Sequence, residues 1–164
     1  MTMVKAIKRW MNRILAFSSA AMLAAMTVIA FYQVVTRYVF NSPSSWSEEL
    51  LTYTFSWTSM LAATLVFGER DHMKLSFFSD KVKGRNGVIL AIATEAVICV
   101  FSVLVLIFGG IAIVNLTMTQ VTASLGIPMG IVYCIMPVSG VLISIYCILN
   151  IAELSGRLRK GEER

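Results

Sequence analysis

Charged residues are scarce in this sequence. Of its 164 residues only 14% are Asp, Glu, Lys or Arg, whereas 57% are hydrophobic, and the mean hydropathy is +0.77. Soluble domains carry about 25% charged residues. A domain of this size cannot bury so much apolar surface in its own core, so lipid must cover it. The composition predicts an integral membrane protein, and it argues against a nucleic-acid partner, which would require basic and aromatic residues interleaved on a polar scaffold.

Histidine occurs once, and the cysteines are few. His72 stands in a polar segment beside Asp71 without the partners that a haem or zinc site needs. The three cysteines lie inside apolar runs and form no Cys-x-x-Cys motif, which argues against disulfides and redox chemistry. An intramembrane protease needs a nucleophile and a general base within its membrane spans, and the apolar runs offer no His, Asp or Lys as a base. We therefore expect no catalytic residues, no metal and no cofactor in this chain.

Four apolar runs are long enough to cross a bilayer, which takes about 20 helical residues. They extend approximately over residues 14–36, 50–67, 88–114 and 127–151. Only helices fit, because lipid cannot satisfy exposed backbone polar groups and four segments are too few for a barrel. The sequence thus predicts an all-α integral membrane protein whose residues 1–164 form a single domain of four transmembrane helices.

Basic residues are concentrated on one side of these spans. Thirteen of the fourteen lie in the N-terminal segment, in the loop between the second and third spans, or in the C-terminal tail. They are Lys5, Lys8, Arg9, Arg13, Arg70, Lys74, Lys81, Lys83, Arg85, Arg157, Arg159, Lys160 and Arg164. The exception is Arg37. The positive-inside rule places both termini and the middle loop in the cytoplasm.

The first thirteen residues have a helical pattern of their own. Apolar residues from Met3 to Ile14 recur every three or four positions, with Lys5, Lys8, Arg9 and Arg13 between them. This pattern predicts an amphipathic interfacial helix over residues 1–13 that lies in the headgroup layer, with its cations toward anionic phospholipids.

The sequence between the first two spans predicts a turn, followed by the first turn of a helix. Pro43 lies in the turn 41–44, where it blocks helix continuation. Ser45 and Glu48 fit the S-x-x-E capping box, in which a serine and a glutamate satisfy orphan amide groups. Trp46 is placed to anchor in the membrane interface.

Glu49 is not explained by the capping box, which needs only one carboxylate. With Arg37 and Glu48 it places three charges within a short stretch, whereas the opposite loop, residues 115–126, has none. Two explanations remain open at this point. The carboxylates could be purely structural, as caps or ion-pair partners, or they could in addition contact a partner protein.

The order of residues across this segment resembles a family signature. It reads Gln33-Val34-Val35-Thr36-Arg37-Tyr38-Val39-Phe40, then Pro43, then Trp46-Ser47-Glu48-Glu49-Leu50. Together with Leu125-Gly126-Ile127-Pro128-Met129-Gly130, it resembles the small membrane subunit of tripartite ATP-independent periplasmic (TRAP) transporters. The chain departs from the pattern at Thr52, where a basic residue is common, and at Ser76, where an acid is common. Arg37 is therefore the remaining candidate to pair with Glu48 or Glu49.

The resemblance implies a noncatalytic subunit in the bacterial inner membrane. Such transporters combine a periplasmic substrate-binding protein, a large multi-span subunit that carries an organic anion with sodium, and this small subunit, which supports the large elevator-type carrier. Carboxylates and sialic acids are substrates of the class. The resemblance makes a set of residues candidates for partner contact or structural roles: Gln33, Arg37, Tyr38, Phe40, Pro43, Trp46, Ser47, Glu48, Glu49, Gly126 and Pro128.

Glu95 is the clearest ionisable residue within a span, about 10 Å into the third helix at 1.5 Å per residue. Such residues are functional candidates by default. The alternative function is therefore a stand-alone, four-helix carrier coupled to protons through Glu95. Small multidrug exporters of that kind use an acid in the first helix, and the first helix here has none.

Small residues predict where helices approach closely. The first helix has Ser18-Ser19-Ala20-Ala21 and Ala24-Ala25, and glycines stand at positions 109, 110, 126, 130 and 140.

Overall fold

A computed structural model describes residues 2–69 and 85–160, which are almost entirely helical. The helices are α1 (Thr2–Tyr38), α2 (Ser45–Glu69), α3 (Arg85–Phe101), α4 (Gly110–Thr117), α5 (Met129–Tyr133) and α6 (Ile135–Lys160). A π-helical segment, Ser102–Gly109, joins α3 to α4. The predicted all-α fold is confirmed. The predicted basic loop with His72, and the last residues of the tail, lie outside the described residues.

The four predicted transmembrane helices are also confirmed. Stretches long and apolar enough to cross a membrane are Ala6–Tyr38, Ser45–Gly68, Gly87–Thr117 and Met129–Gly156. Seven of their eight ends lie one to eight residues beyond the predicted ones, because polar residues next to an apolar run continue the same helix. The fourth is the exception at its start, since the helix begins at Met129 rather than at residue 127.

The start of α1 is continuous with the first span. Residues 2–13, predicted as part of a separate interfacial helix, form the first turns of a helix of 37 residues. Lys8 Nζ lies 3.1 Å from Glu153 Oε2, and the Tyr146 hydroxyl donates to Asn12 Oδ1. These contacts stabilise the start of α1 against α6 and explain why no break separates the two parts. The position of residues 1–13 relative to the lipid headgroups stays a prediction.

The helices are ordered in space differently from the sequence. Helix α2 packs between α1 and α6, and α6 packs between α2 and the third span, which is α3, the π-helical segment and α4. The fourth span is therefore central, and 39% of its most apolar stretch is buried, against 6% for the first span. Among the described helices, the first and third spans form the two edges of this arrangement.

Two glycines allow the third and fourth spans to approach closely. A Cβ atom on Gly140 would lie 2.8 Å from Leu106 Cβ, and one on Gly110 would lie 2.8 Å from Pro137 Cδ. The alanines of α1 make no such approach among the described helices, because the side chains of residues 20, 21, 24 and 25 are exposed, and their close packing stays a prediction. Alanines can meet lipid or protein equally well, so their presence alone did not identify an internal contact.

A break separates α5 from α6 at Cys134. Pro137 has no amide hydrogen, and its ring excludes the carbonyl of the residue four positions earlier, so the helix cannot run regularly through Tyr133. The Cys134 amide instead donates to Gly130 O at 3.1 Å and Ile131 O at 3.3 Å.

Candidate functional site

Residues 39–44 reverse the chain between α1 and α2. Asn41 has a φ of 50°, in the left-handed region that asparagine tolerates better than most residues. The Ser42 amide donates to the Thr36 carbonyl at 3.1 Å, which closes the turn. Pro43 follows and is exposed. We call the end of the molecule that carries this turn the loop end.

The hydrogen bonds at the start of α2 differ from those of the predicted capping box. Ser45 is the first helical residue, and the Glu48 amide donates to the Ser44 carbonyl at 3.3 Å. The buried Ser47 hydroxyl donates to the same carbonyl at 2.8 Å. Because the Ser44 carbonyl is the acceptor, the turn preceding Ser45 is tied to the first helical turn through the backbone. A capping role for Ser45 and Glu48 stays a prediction.

Glu48 pairs with the basic residue at the end of α1. Arg37 Nη2 lies 3.3 Å from Glu48 Oε1, and the two side chains are 60% and 56% exposed. Arg37 lies in the last turn of α1 and Glu48 in the first turn of α2, the positions where the helix dipoles favour a cation and an anion. An ion pair this exposed contributes at most about 1 kcal/mol in water. Most of its polar surface is open to other groups.

Glu49 has a different role. One of its oxygens, Oε2, accepts from the backbone amides of Ser124 at 2.8 Å and Leu125 at 2.9 Å. The other, Oε1, accepts from the Tyr53 hydroxyl at 2.7 Å. Ser124 and Leu125 lie in the loop 118–128, which leads into the fourth span. The second carboxylate of the Glu-Glu pair therefore ties the start of α2 to that loop, which lies at the loop end as well.

The loop 118–128 is shaped so that it can present these amides. The Thr122 amide donates to Ile127 O at 2.9 Å, and the Ile127 amide donates to Thr122 Oγ1 at 3.1 Å. Gly126 has a φ of +67°, which glycine adopts without strain. Pro128 pairs with Val121 in an isolated antiparallel bridge. These contacts leave the amides at the tip free to bind the Glu49 carboxylate.

Two aromatic residues of α2 extend this connection toward the membrane interior. The Tyr53 hydroxyl lies 3.6 Å from Met129 Sδ, and Trp57 Nε1 donates to the Val132 carbonyl at 2.9 Å. Together with Glu49 they join α2 to the start of the fourth span. The sequence prediction missed Thr122, Ser124 and Trp57 in this role. A signal existed for Trp57, since a tryptophan in a membrane usually finds an acceptor for its N–H group.

The remaining candidate residues of the first two helices surround the turn. Tyr38 and Phe40 are 76% and 69% exposed. Trp46 packs against Tyr32 with ring centroids 5.7 Å apart. The Gln33 side-chain nitrogen is buried and has no hydrogen-bond partner within residues 2–69 and 85–160. The structure thus brings the predicted residues of this motif together at one end of the molecule.

Glu95 lies apart from this cluster, between the third and fourth spans. It is 1% exposed, and its Oε1 accepts from Asn150 Nδ2 at 2.8 Å. Asn150 is fully buried. Both polar groups therefore link α3 to α6 rather than facing lipid. No cluster of three or more His, Cys, Asp or Glu residues that could hold a metal is present in the described part of the chain.

Comparisons with known proteins agree with the signature at the loop end. A family model described as "Tripartite ATP-independent periplasmic transporters, DctQ component" matches residues 26–157. A Haemophilus influenzae chain with the provisional name TRAP transporter small permease protein is 28% identical over 160 residues, which cover 98% of this chain and 99% of that relative.

Two relatives from Vibrio cholerae serotype O1 match over shorter regions. The sialic acid TRAP transporter small permease protein SiaQ is 27% identical over 105 residues, 63% of this chain and 61% of that protein. The C4-dicarboxylate TRAP transporter small permease protein DctQ is 28% identical over 91 residues, 56% of this chain and 39% of that protein. Since the family model covers most of its length, this chain belongs to the DctQ family, the small permease components of TRAP transporters.

Proposed function

We propose that this chain is the fixed supporting subunit of a sodium-coupled transporter for an organic anion, and that it widens the scaffold of a large elevator-type carrier subunit. Members of its family are transport components and not enzymes. The observation that carries the proposal is the use of polar side chains within the spans. Glu95, Asn150 and Trp57 join one helix to another. Groups used in this way hold a scaffold together.

Outward-facing apolar side chains support the same proposal. The two edge spans expose large residues: Phe17, Val28 and Phe31 on α1, and Val97, Leu104 and Phe108 on the third span. In a membrane such faces meet lipid or another protein. The exposed alanines of α1 would let a partner helix approach closely, since small residues favour helix contacts in lipid. We therefore expect the large subunit to pack along an edge span.

The distribution of charged residues supports an orientation in which both termini lie in the cytoplasm. Thirteen of the fourteen basic residues belong to the terminal segments and the middle loop, so the positive-inside rule favours both termini in the cytoplasm. Helical spans in a transporter family are consistent with a bacterial inner membrane. The loop end then faces the periplasm, where a substrate-binding protein would meet the complex. Exposed Tyr38 and Phe40 are the proposed contact residues there, whereas Glu49 is used by the chain's own loop.

The names of two relatives support an organic anion as the substrate class. One is named for sialic acid and another for C4-dicarboxylates, and both substrates are organic anions. We expect the binding protein and the large subunit to hold the substrate and sodium.

Reconstitution tests the proposal. Proteoliposomes with an inward sodium gradient would contain either this chain alone, or this chain with the large subunit and the binding protein. Labelled sialic acid and succinate serve as substrates. We expect uptake of one of them by the complete system and none by the chain alone. Specific uptake by the chain alone would overturn the supporting role. If that uptake followed a proton gradient and was lost in Glu95→Gln, the stand-alone carrier would replace it.

A further inference from the structure

The surface between α1 and α2 contains a two-part depression that the supporting role does not use. Its inner part is an apolar groove of about 440 Å³, lined by Met26, Thr27, Ala30, Leu51, Thr52 and Phe55. Its outer part is a polar cleft of about 180 Å³, whose lining includes Gln33, Arg37, Tyr38, Pro43, Ser44 and Glu48. We call the two parts together the α1–α2 seam.

Helical spacing places the two parts one after the other along the same stripes of α1 and α2. On α1, Met26, Ala30 and Arg37 are separated by four and seven residues, so they lie along one stripe of the helix. On α2, Glu48 and Phe55 are separated by seven residues and lie along one stripe as well. From Met26 to Arg37 the seam extends about 16 Å along α1, at 1.5 Å per residue. That length matches one leaflet, since the whole hydrocarbon core is about 30 Å thick.

The two parts differ in chemistry. In the groove, the hydroxyl of Thr27 donates to its own helix at Leu23 O, 2.9 Å away, and that of Thr52 donates to Glu48 O, 3.0 Å away. The groove walls therefore present apolar surface. The cleft has the exposed cation and anion of Arg37 and Glu48. The side chains of Gln33 and Ser44 in its wall hold a nitrogen and a hydroxyl that lack partners among the described residues.

We propose that the α1–α2 seam binds one zwitterionic phospholipid with a phosphoethanolamine headgroup, from the leaflet at the loop end. The phosphodiester accepts hydrogen bonds from the Arg37 guanidinium, and Gln33 and Ser44 supply further donors after small side-chain rotations. The ammonium group binds Glu48. One acyl chain lies in the groove along Ala30 toward Met26.

Charge complementarity favours this occupant over two others. An anionic lipid would place its negative headgroup beside Glu48 without a compensating cation of its own. An apolar helix from a partner would remove water from the exposed Arg37–Glu48 pair without replacing its hydrogen bonds, which is costly. A zwitterionic headgroup offers an opposite charge to each member of the pair.

Lipid titration followed by native mass spectrometry tests the proposal. The full-length chain would be extracted in mild detergent with any subunits that accompany it, stripped of lipid, and titrated with dioleoylphosphatidylethanolamine or dioleoylphosphatidylglycerol. We expect one tightly bound ethanolamine lipid. Arg37→Gln and Glu48→Gln should each weaken its binding about tenfold, the equivalent of one charge-assisted hydrogen bond. Ala30→Phe should weaken it similarly by filling the groove, whereas Ala112→Phe, at an exposed position of α4 outside the seam, should not.

Photocrosslinking provides a measurement that does not depend on the variants. An ethanolamine lipid with a diazirine in one acyl chain should label peptides containing residues 26–30 and 51–55 of the wild-type chain. Labelling elsewhere, equal binding of the two lipids, or unchanged binding in Glu48→Gln would overturn the proposal. So would a crosslink between residue 30 and a helix of another subunit, because a protein would then occupy the seam.

Discussion

The first and fourth spans are equally apolar but occupy different places in the fold. The most apolar stretch of each has a mean hydropathy of 2.2, yet 6% of that stretch is buried in the first span and 39% in the fourth. The fourth carries buried Ser139, Tyr146 and Asn150, together with a glycine at a close approach. Hydropathy thus reports whether a helix can enter lipid. The positions of polar residues and glycines indicate which helix lies at the centre of the bundle.

The largest expected effect comes from enlarging a glycine of the fourth span. A side chain on Gly140 would collide with Leu106 and Ile107, and the Ile107 amide nitrogen lies 3.1 Å from the position of the new Cβ. Gly140→Leu should therefore destabilise the chain by about 3 kcal/mol, the upper part of the range for overpacking. Reversible unfolding in mixed detergent micelles measures this free energy.

Ala24→Leu in the first span is the matched control, because it adds a comparable side chain at an exposed position. We expect it to change the free energy of unfolding by less than about 0.5 kcal/mol. Equal effects of the two substitutions would mean that the fourth span is no more central than the first.

Loss of a buried hydrogen bond between the third and fourth spans should have the next largest effect. Asn150→Leu removes the donor to Glu95 and leaves the Glu95 carboxyl group in the apolar contact between the third and fourth spans, at a cost of about 1–2 kcal/mol. Glu95→Gln keeps an oxygen that can accept from Asn150, so it should cost less. A greater loss of stability in Glu95→Gln than in Asn150→Leu would contradict this account of the pair.

The sequence allowed some of this arrangement to be predicted. Four spans follow from apolar runs, whereas the cytoplasmic placement of both termini, inferred from the basic residues, stays a prediction. The central place of the fourth span was not predicted, although the spacing of Ser139, Tyr146 and Asn150 along one helix was a usable signal. The π-helical segment 102–109 had no recognisable signal, because its apolar residues are equally compatible with a regular α-helix.

The third largest expected effect distinguishes the two adjacent carboxylates, Glu48 and Glu49. Glu49 is bound to the loop that leads into the fourth span, and Glu48 is paired with the end of the first span. Glu49→Ala should destabilise the chain more than Glu48→Ala does, since it removes a charged acceptor from three donors. Glu48→Ala should cost less than about 1 kcal/mol, because its pair is exposed.

Hydrogen exchange at residues 118–128 measures this difference locally. The amides of Ser124 and Leu125 should exchange faster in Glu49→Ala and remain unchanged in Glu48→Ala. Faster exchange in both variants would show that the two carboxylates act as one unit.

The Glu49 contact illustrates a limit of sequence analysis at the candidate site. Pairing of Arg37 with one of the two glutamates was expected, because these are the charged residues of the segment between the first two spans. Besides the nearby Tyr53 hydroxyl, the partners of Glu49 are backbone amides 75 and 76 positions away. Every residue except proline has such an amide, so residue types at the tip of the loop carry no signal for this contact.

The smallest expected effect concerns the ion pair that joins the first and fourth spans directly. Lys8 and Glu153 are 3.1 Å apart, and their side chains are 15% and 13% exposed. Lys8→Met keeps most of the apolar stem and removes the charge. Glu153 lies near the end of the fourth span, so its carboxylate can then turn toward water, and the change should cost about 1 kcal/mol or less. A double-mutant cycle with Glu153→Gln isolates the energy of the pair. Buried Leu15, seven residues further along α1, should hold this part of the helix against its neighbours by apolar packing in all three variants. A coupling energy above about 2 kcal/mol would mean instead that α1 depends on this ion pair for its attachment, and the first span would then be less independent of the fourth than its exposed surface indicates.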